Sequence, residues 1–124
     1  MKITDLNSLS LAYLGDAIYE LKIREYLLQQ KIAKINDLQK ASLNFVTAKR
    51  QAYFLDELIK QNFFNEKEIE IIKTARNSKT HSKPKNCDIL TYKHATALEA
   101  VIGYFYIEEK FEKIDSLINE IMKL

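Results

Sequence analysis

An all-α fold is predicted from three features of the sequence. Glycine occurs twice and proline once in 124 residues, whereas β-sandwiches and doubly wound folds need many turns built on those residues. Apolar residues recur at alternating spacings of three and four, and cap-forming residues precede most of these runs. The chain is 47% hydrophobic and 29% charged, an ordinary globular balance. Residues 1–124 suffice for one domain with a real core and are too few for two.

Thr4, Asp5, Asn7 and Ser8 offer capping oxygens ahead of a first helix expected over residues 7–29. Asn36 and Asp37 are placed to cap a second, over 37–43. A third is expected over 45–60, with Val46, Phe54, Leu55, Leu58 and Ile59 as apolar positions. Asn65 followed by Glu68 has the spacing of a capping box and opens a fourth helix, to residue 76. Residues 77–86 read NSKTHSKPKN, with no aliphatic residue and the only proline, which predicts a polar, basic loop. Asp88 caps a fifth helix over 89–107, with Gly103 inside it. A sixth, over 111–122, turns Ile114, Leu117, Ile118 and Ile121 inward.

A single cysteine, Cys87, excludes an internal disulfide and a cysteine-rich zinc site, and reads as a small packed thiol. No apolar run reaches the roughly 18 residues of a membrane span, and the N-terminus lacks a signal-peptide pattern. A cytoplasmic protein without membrane partners is therefore expected. The formal net charge is +2. Between Lys73 and Lys93, however, six bases face one acid (net +5), leaving 13 bases against 16 acids elsewhere (net −3). The positive charge is local.

On the first helix, Leu9, Ala12, Asp16, Tyr19 and Ile23 share one face, and Asp16 is its only acid. On the fifth, Tyr92, Ala95, Glu99, Ile102 and Tyr106 share a face, with Glu99 the only acid. A buried carboxylate without a partner costs several kcal/mol or gives up its charge. Gly15 adjoins Asp16 and Gly103 lies one turn from Glu99, and glycine admits close approach of another backbone or a ligand. One reading brings both acids together around a hard divalent cation, for which Mg2+, accepting one or two carboxylates and keeping several waters, is the best fit. The other gives each acid a nearby Lys or Arg, or places it in solvent beside the stripe. Beside a basic loop, a carboxylate-held cation suits phosphodiester hydrolysis, since it activates water while the bases hold a polyanion. A basic loop alone is equally a solvated loop.

Leu11-Ala12-Tyr13-Leu14-Gly15-Asp16-Ala17 resembles the F-L-G-D-A/S signature of the ribonuclease III catalytic domain, and Thr96-Ala97-Leu98-Glu99-Ala100-Val101-Ile102-Gly103 resembles its second block, D-x-x-E-A-L/V-I-G. Asn44 to Ala52, reading NFVTAKRQA, and Arg76-Asn77-Ser78-Lys79 with Lys83-Pro84-Lys85-Asn86 resemble the compact bacterial branch, Mini-III ribonuclease. The resemblance implies a ribonuclease III endonuclease-domain-like helical bundle, homodimeric, with residues 1–124 forming a single catalytic domain. It implies Mg2+ (Mn2+ as a substitute) held by Asp16 and Glu99. It also implies hydrolysis of double-stranded RNA to 5′-phosphate and 3′-hydroxyl ends, and maturation of the 23S ribosomal RNA precursor.

The departures matter. Larger relatives carry Glu where Ala12 stands and Asp where Thr96 stands, so one cation is the safer expectation, with Thr96 a candidate to orient its water. With nothing after Leu124, no C-terminal double-stranded-RNA-binding domain is expected. RNA grip is then assigned to Arg76, Asn77, Lys79, His81, Lys83, Lys85 and Lys93, because no other segment concentrates cations. Leu11, Tyr13 and Leu14 are candidates for the dimer seam, with core packing an equal reading for Tyr13 and Tyr19. Glu20 and Arg24 are spaced for a surface ion pair, and His94 for the helix surface or the RNA. Loss of two acids motivates the alternative of a non-catalytic RNA-binding or ribosome-assembly module. A nucleotide phosphohydrolase ranks last, for want of histidine ligands. The catalytic reading requires the two acids to converge without private cationic partners.

Overall fold

The computed structural model describes residues 1–78 and 86–124, which are helical nearly throughout and contain no strand. A short 3-10 turn, Ile3–Asp5, leads into α1 (Ser8–Gln29), followed by α2 (Ile35–Val46), α3 (Ala48–Lys60), α4 (Glu66–Arg76), α5 (Ile89–Ile107) and α6 (Phe111–Met122). No described helix is long and apolar enough to cross a membrane.

The caps explain most of the boundaries. The Asn7 side chain accepts from Ser10 N at 2.8 Å, and Asp88 accepts from Thr91 N at the same distance. Asn65 and Glu68 form the reciprocal capping box at the start of α4. Glu68 is 1% exposed, and Lys113 of α6 reaches it at 3.4 Å while donating to the Phe63 carbonyl at 3.1 Å. One carboxylate thus caps α4 and anchors α6.

The middle of the chain differs from the sequence expectation. The second helix runs from Ile35, not residue 37, and Lys34 rather than Asn36 or Asp37 is its N-cap. It continues to Val46, where Thr47 leaves the helical region (φ −69°, ψ 152°) and caps α3 by accepting from Arg50 N. The break expected at residue 44 falls at Thr47; apolar spacing runs through it without a gap, so periodicity separates the two helices but misplaces their junction.

α5 is buried on nearly every side, from Ala95 to Phe105 with the exception of Glu99, as expected of a helix surrounded by others. α1, α3, α4 and α6 all pack against it, α1 most extensively. A Cβ on Gly15 would stand 1.7 Å from the Glu99 backbone oxygen, and one on Gly103 2.1 Å from that of Leu11. Both glycines are thus spent on one helix crossing, each facing the other helix's backbone. Leu11, at that crossing, is 4% exposed and belongs to the core, which overturns its expected place at the dimer seam. Tyr19 is fully buried, whereas Tyr13 is 86% exposed.

Neither glycine has a left-handed backbone; among the described residues those conformations fall on Lys31 (φ 60°), Asn62 (φ 56°), Asn86 (φ 65°) and Glu109 (φ 58°). After α3 and α5 they sit in a Schellman arrangement, with Phe63 N bonding Leu58 O and Lys110 N bonding Phe105 O.

Gly15→Ala and Gly103→Ala each gain about 1 kcal/mol of helix propensity and force the two backbones apart. Overpacking costs about 1–3 kcal/mol, and here the obstacle is rigid main chain, so the cost prevails. Urea titration should find both variants less stable than wild type; an unchanged midpoint for either would mean the crossing is looser than described.

Candidate active site

Asp16 and Glu99 reach the same place because of the glycine crossing. Asp16 follows Gly15 on α1, and the atom opposing Gly15 is the carbonyl of Glu99 itself. The two carboxyl groups come within hydrogen-bonding range, Asp16 exposed and Glu99 half-buried. Burial first, then the hydrogen bond to Asp16 and its negative charge, push Glu99 from the usual 4.5 up to about 9. Glu20, one turn beyond Asp16, adds further negative potential, although it is paired with Arg24 at 3.1 Å as its spacing predicts.

No Lys, Arg or His among the described residues forms an ion pair with Asp16 or Glu99. Among the described residues, then, the two acids converge without private cationic partners. The neutral Gln51 side chain works in the other direction, favouring the charged Glu99 carboxylate. Gln51 is 3% exposed, and its Nε2 also donates to the Val46 carbonyl at 3.3 Å. Nearby, the buried Tyr19 hydroxyl donates to Phe45 O at 2.7 Å, and Arg50 Nε to Asn44 O at 2.9 Å. Burial is the main reason the Tyr19 hydroxyl is held far above its usual range, with Glu99 adding to it.

Two adjacent carboxyl groups with oxygen donors only suit a hard divalent cation that would displace the Glu99 proton and keep waters in its other positions. Among the described residues, no three or more His, Cys, Asp and Glu side chains gather as an all-protein metal cage would require. Thr96 is buried, and its hydroxyl donates to Tyr92 O at 2.9 Å, which leaves only its lone pairs for other partners.

The RNA-binding candidates divide. Arg76 ends α4 and is half-buried, Asn77 is that helix's exposed C-cap, and Lys93 is half-buried on α5. Lys93 stands six residues before Glu99, about 9 Å along the axis and about a third of a turn round it. Lys79, His81, Lys83 and Lys85 lie outside the described residues. His94 turns to Asp56, 3.5 Å away, and Cys87 is half-exposed, its thiol donating to Asp88 O at 3.4 Å, so it is not packed as expected.

Gln51 is the residue that sequence reasoning missed. It lies on the buried stripe of α3 with Phe54, Leu55 and Leu58, a polar interruption of the same kind as Asp16 and Glu99.

The likeness to known proteins runs through both acids. Residues 9–110 match the Ribonuclease III domain family. A Mini-ribonuclease 3 of Staphylococcus aureus is 41% identical over 119 residues, 96% of this chain and 89% of the relative. That of Clostridium tetani is 42% identical over 123 residues, 98% of this chain and 78% of the relative. A crystal structure of a protein from Fusobacterium nucleatum superposes with a TM-score of 0.89 at 42% identity, covering 98% of both chains.

The raised Glu99 value makes metal-free stability pH-dependent. The folded state holds this proton more tightly than the unfolded chain, so the contribution is complete below about 4.5 and is lost as pH rises through about 9. In EDTA, wild-type Tm should fall over that interval, while Glu99→Gln, which never ionises there, should lose less. Parallel pH profiles would mean that Glu99 ionises in the ordinary carboxylate range.

Proposed function

The chain belongs to the ribonuclease III family, in its Mini-ribonuclease 3 branch, and we infer that it is a divalent-metal-dependent endoribonuclease of double-stranded RNA. The observation that carries this reading is the meeting of Asp16 and Glu99, from two helices far apart in sequence, with no cationic side chain among the described residues to neutralise them. Mg2+ is the proposed ion, with Mn2+ as a substitute, and Asp16 and Glu99 are its proposed ligands. Bound there, the cation supplies Lewis acidity to the scissile phosphate and lowers the pKa of water.

The protein's own part is to place the two carboxylates and to orient the duplex. Asp16 is open to solvent, so phosphate oxygens can approach from its side. Glu99 sits deeper, where its carboxyl is fixed by neighbours. Arg76, Asn77, Lys79, His81, Lys83, Lys85 and Lys93 are assigned to the phosphates and 2′-hydroxyls of an A-form duplex, which presents those groups more readily than base edges. All 124 residues act as one catalytic domain. The active species is a homodimer, each protomer cutting one strand and leaving 5′-phosphate and 3′-hydroxyl ends. Exposed Tyr13, on the α1 turn that bears Gly15, is the leading contributor to its seam. The paired ends of the 23S ribosomal RNA precursor are the proposed cellular substrate, in the cytoplasm.

Incubation with a long RNA duplex and Mg2+ decides between enzyme and binder. Wild type should cut, EDTA should stop it, and Asp16→Asn and Glu99→Gln should retain duplex binding while cleavage drops to background. Retardation without cutting by wild type would favour a non-catalytic RNA-binding or ribosome-assembly module. In the same assay format, Lys83→Ala combined with Lys85→Ala should flatten the salt dependence of binding by roughly one unit of slope for each phosphate no longer neutralised. An unchanged slope removes that segment from the interface.

A further inference from the structure

We propose that Arg50 is an RNA-binding residue, its guanidinium held ready as a fork for a backbone phosphate of the duplex. The inference rests on reading the chain as an endoribonuclease of double-stranded RNA. It adds a contact on α3, a helix that none of the residues assigned above occupies.

The guanidinium is fixed from two sides. Its Nε donates to the Asn44 carbonyl at the end of α2, 2.9 Å away. Its central carbon lies 5.0 Å from the centre of the Tyr53 ring and 4.9 Å from that of Phe54, both within cation–π range. Phe54 is fully buried, so one of the two rings is part of the core. A long, free side chain must give up rotamer freedom to grip an anion, whereas this one has given it up on folding.

Arginine carries five N–H donors, and Asn44 takes the one on Nε. The four on the two Nη atoms form an end-on fork that matches two phosphate oxygens. No acid among the described residues pairs with Arg50, which is only half-buried. Arg24, by contrast, is engaged by Glu20.

The position of this charge does not favour stability. Lys49 and Arg50 occupy the first turn of α3, which contains no acid, and Lys49 is exposed. That is the positive end of the helix dipole, where cations are disfavoured. α4 follows the ordinary pattern, with Glu66 and Glu68 in its first turn and Lys73 and Arg76 in its last. Two bases at the disfavoured end of a helix, one of them locked in place, form a patch that a polyanion would relieve.

Hydrogen bonds connect this patch to the helix of the first acid. Tyr19 stands three residues after Asp16 on α1, about 4.5 Å farther along the axis. Its hydroxyl donates to Phe45 O at 2.7 Å, the carbonyl next to the one that Arg50 takes. A duplex that brings its scissile phosphate to Asp16 from solvent then offers another phosphate to Arg50. Because that phosphate is not the one cut, the contact holds ground state and transition state alike.

Three variants of the full chain test this, with binding to a long RNA duplex measured in EDTA, to prevent cutting, over a range of salt. Arg50→Met keeps an apolar stem against the rings and removes the charge. Its affinity should fall roughly 10-fold, and its salt dependence should flatten by about one unit of slope. Arg50→Lys keeps the charge without the fork, and should restore the slope while binding more weakly than wild type. Tyr19→Phe removes the bond to the neighbouring carbonyl and controls for a loosened end of α2; it should melt earlier with the slope unchanged. With Mg2+ present, Arg50→Met should raise KM several-fold and leave kcat within about twofold.

An unchanged slope in Arg50→Met, wild-type affinity in Arg50→Lys, equal flattening in Tyr19→Phe, or a loss of kcat at unchanged KM would each overturn the proposal. If Arg50→Met does not fold, Arg50→Gln replaces it with the same expectations. A wild type that shows the Arg50-dependent slope yet never cuts the duplex would overturn the nuclease reading and leave the contact standing. A wild type that cuts, beside an Arg50→Met of unaltered slope, does the reverse.

Discussion

The approach of α1 to α5, backbone against backbone, is the constraint from which the rest of the structure follows. It consumes both glycines, each at a helix-interior cost of about 1 kcal/mol relative to alanine. In return, α5 gains a close neighbour along the face that would otherwise be filled by side chains, and its near-complete burial supplies much of the core. The convergence of the acids is a by-product of that packing. Gly15 faces the main chain of Glu99, and Asp16 is the next residue along. No loop has to be held in a special shape to bring the carboxylates together.

Two glutamates in the same fold show how differently a low-dielectric setting can be managed. Glu68 is almost wholly buried, yet it accepts a backbone N–H from Asn65 and meets the Lys113 ammonium. It is structurally complete. Glu99 has the Asp16 carboxyl beside it and, among the described residues, no cationic partner. Arrangements of this second kind are poor for stability and are found where something has still to bind.

Sequence periodicity makes much of this visible, and its failures have physical causes. Asp16 and Glu99 can be seen because each interrupts an apolar stripe whose register survives folding. Gln51 gives the same signal on a third helix and escapes notice, because a carboxamide does not stand out as a carboxylate does. The α2–α3 break is read three residues early because Thr47 departs from helical geometry without disturbing the spacing of the residues around it. Leu11 reads as an outside residue because an amphipathic helix has no way of announcing which of its apolar residues lies beneath a neighbour's glycine. The family motifs supply what spacing cannot, namely that the acids belong to one centre and that the polyanion is RNA.

The allocation of glycine has one further consequence. With both copies committed to the helix crossing, the connectors after α1, α3 and α5 turn the corner on Lys31, Asn62 and Glu109 in a backbone conformation that ordinary side chains adopt reluctantly. Each such joint carries a backbone cost that glycine there would not. An engineer seeking a hardier version has places to work that touch neither carboxylate.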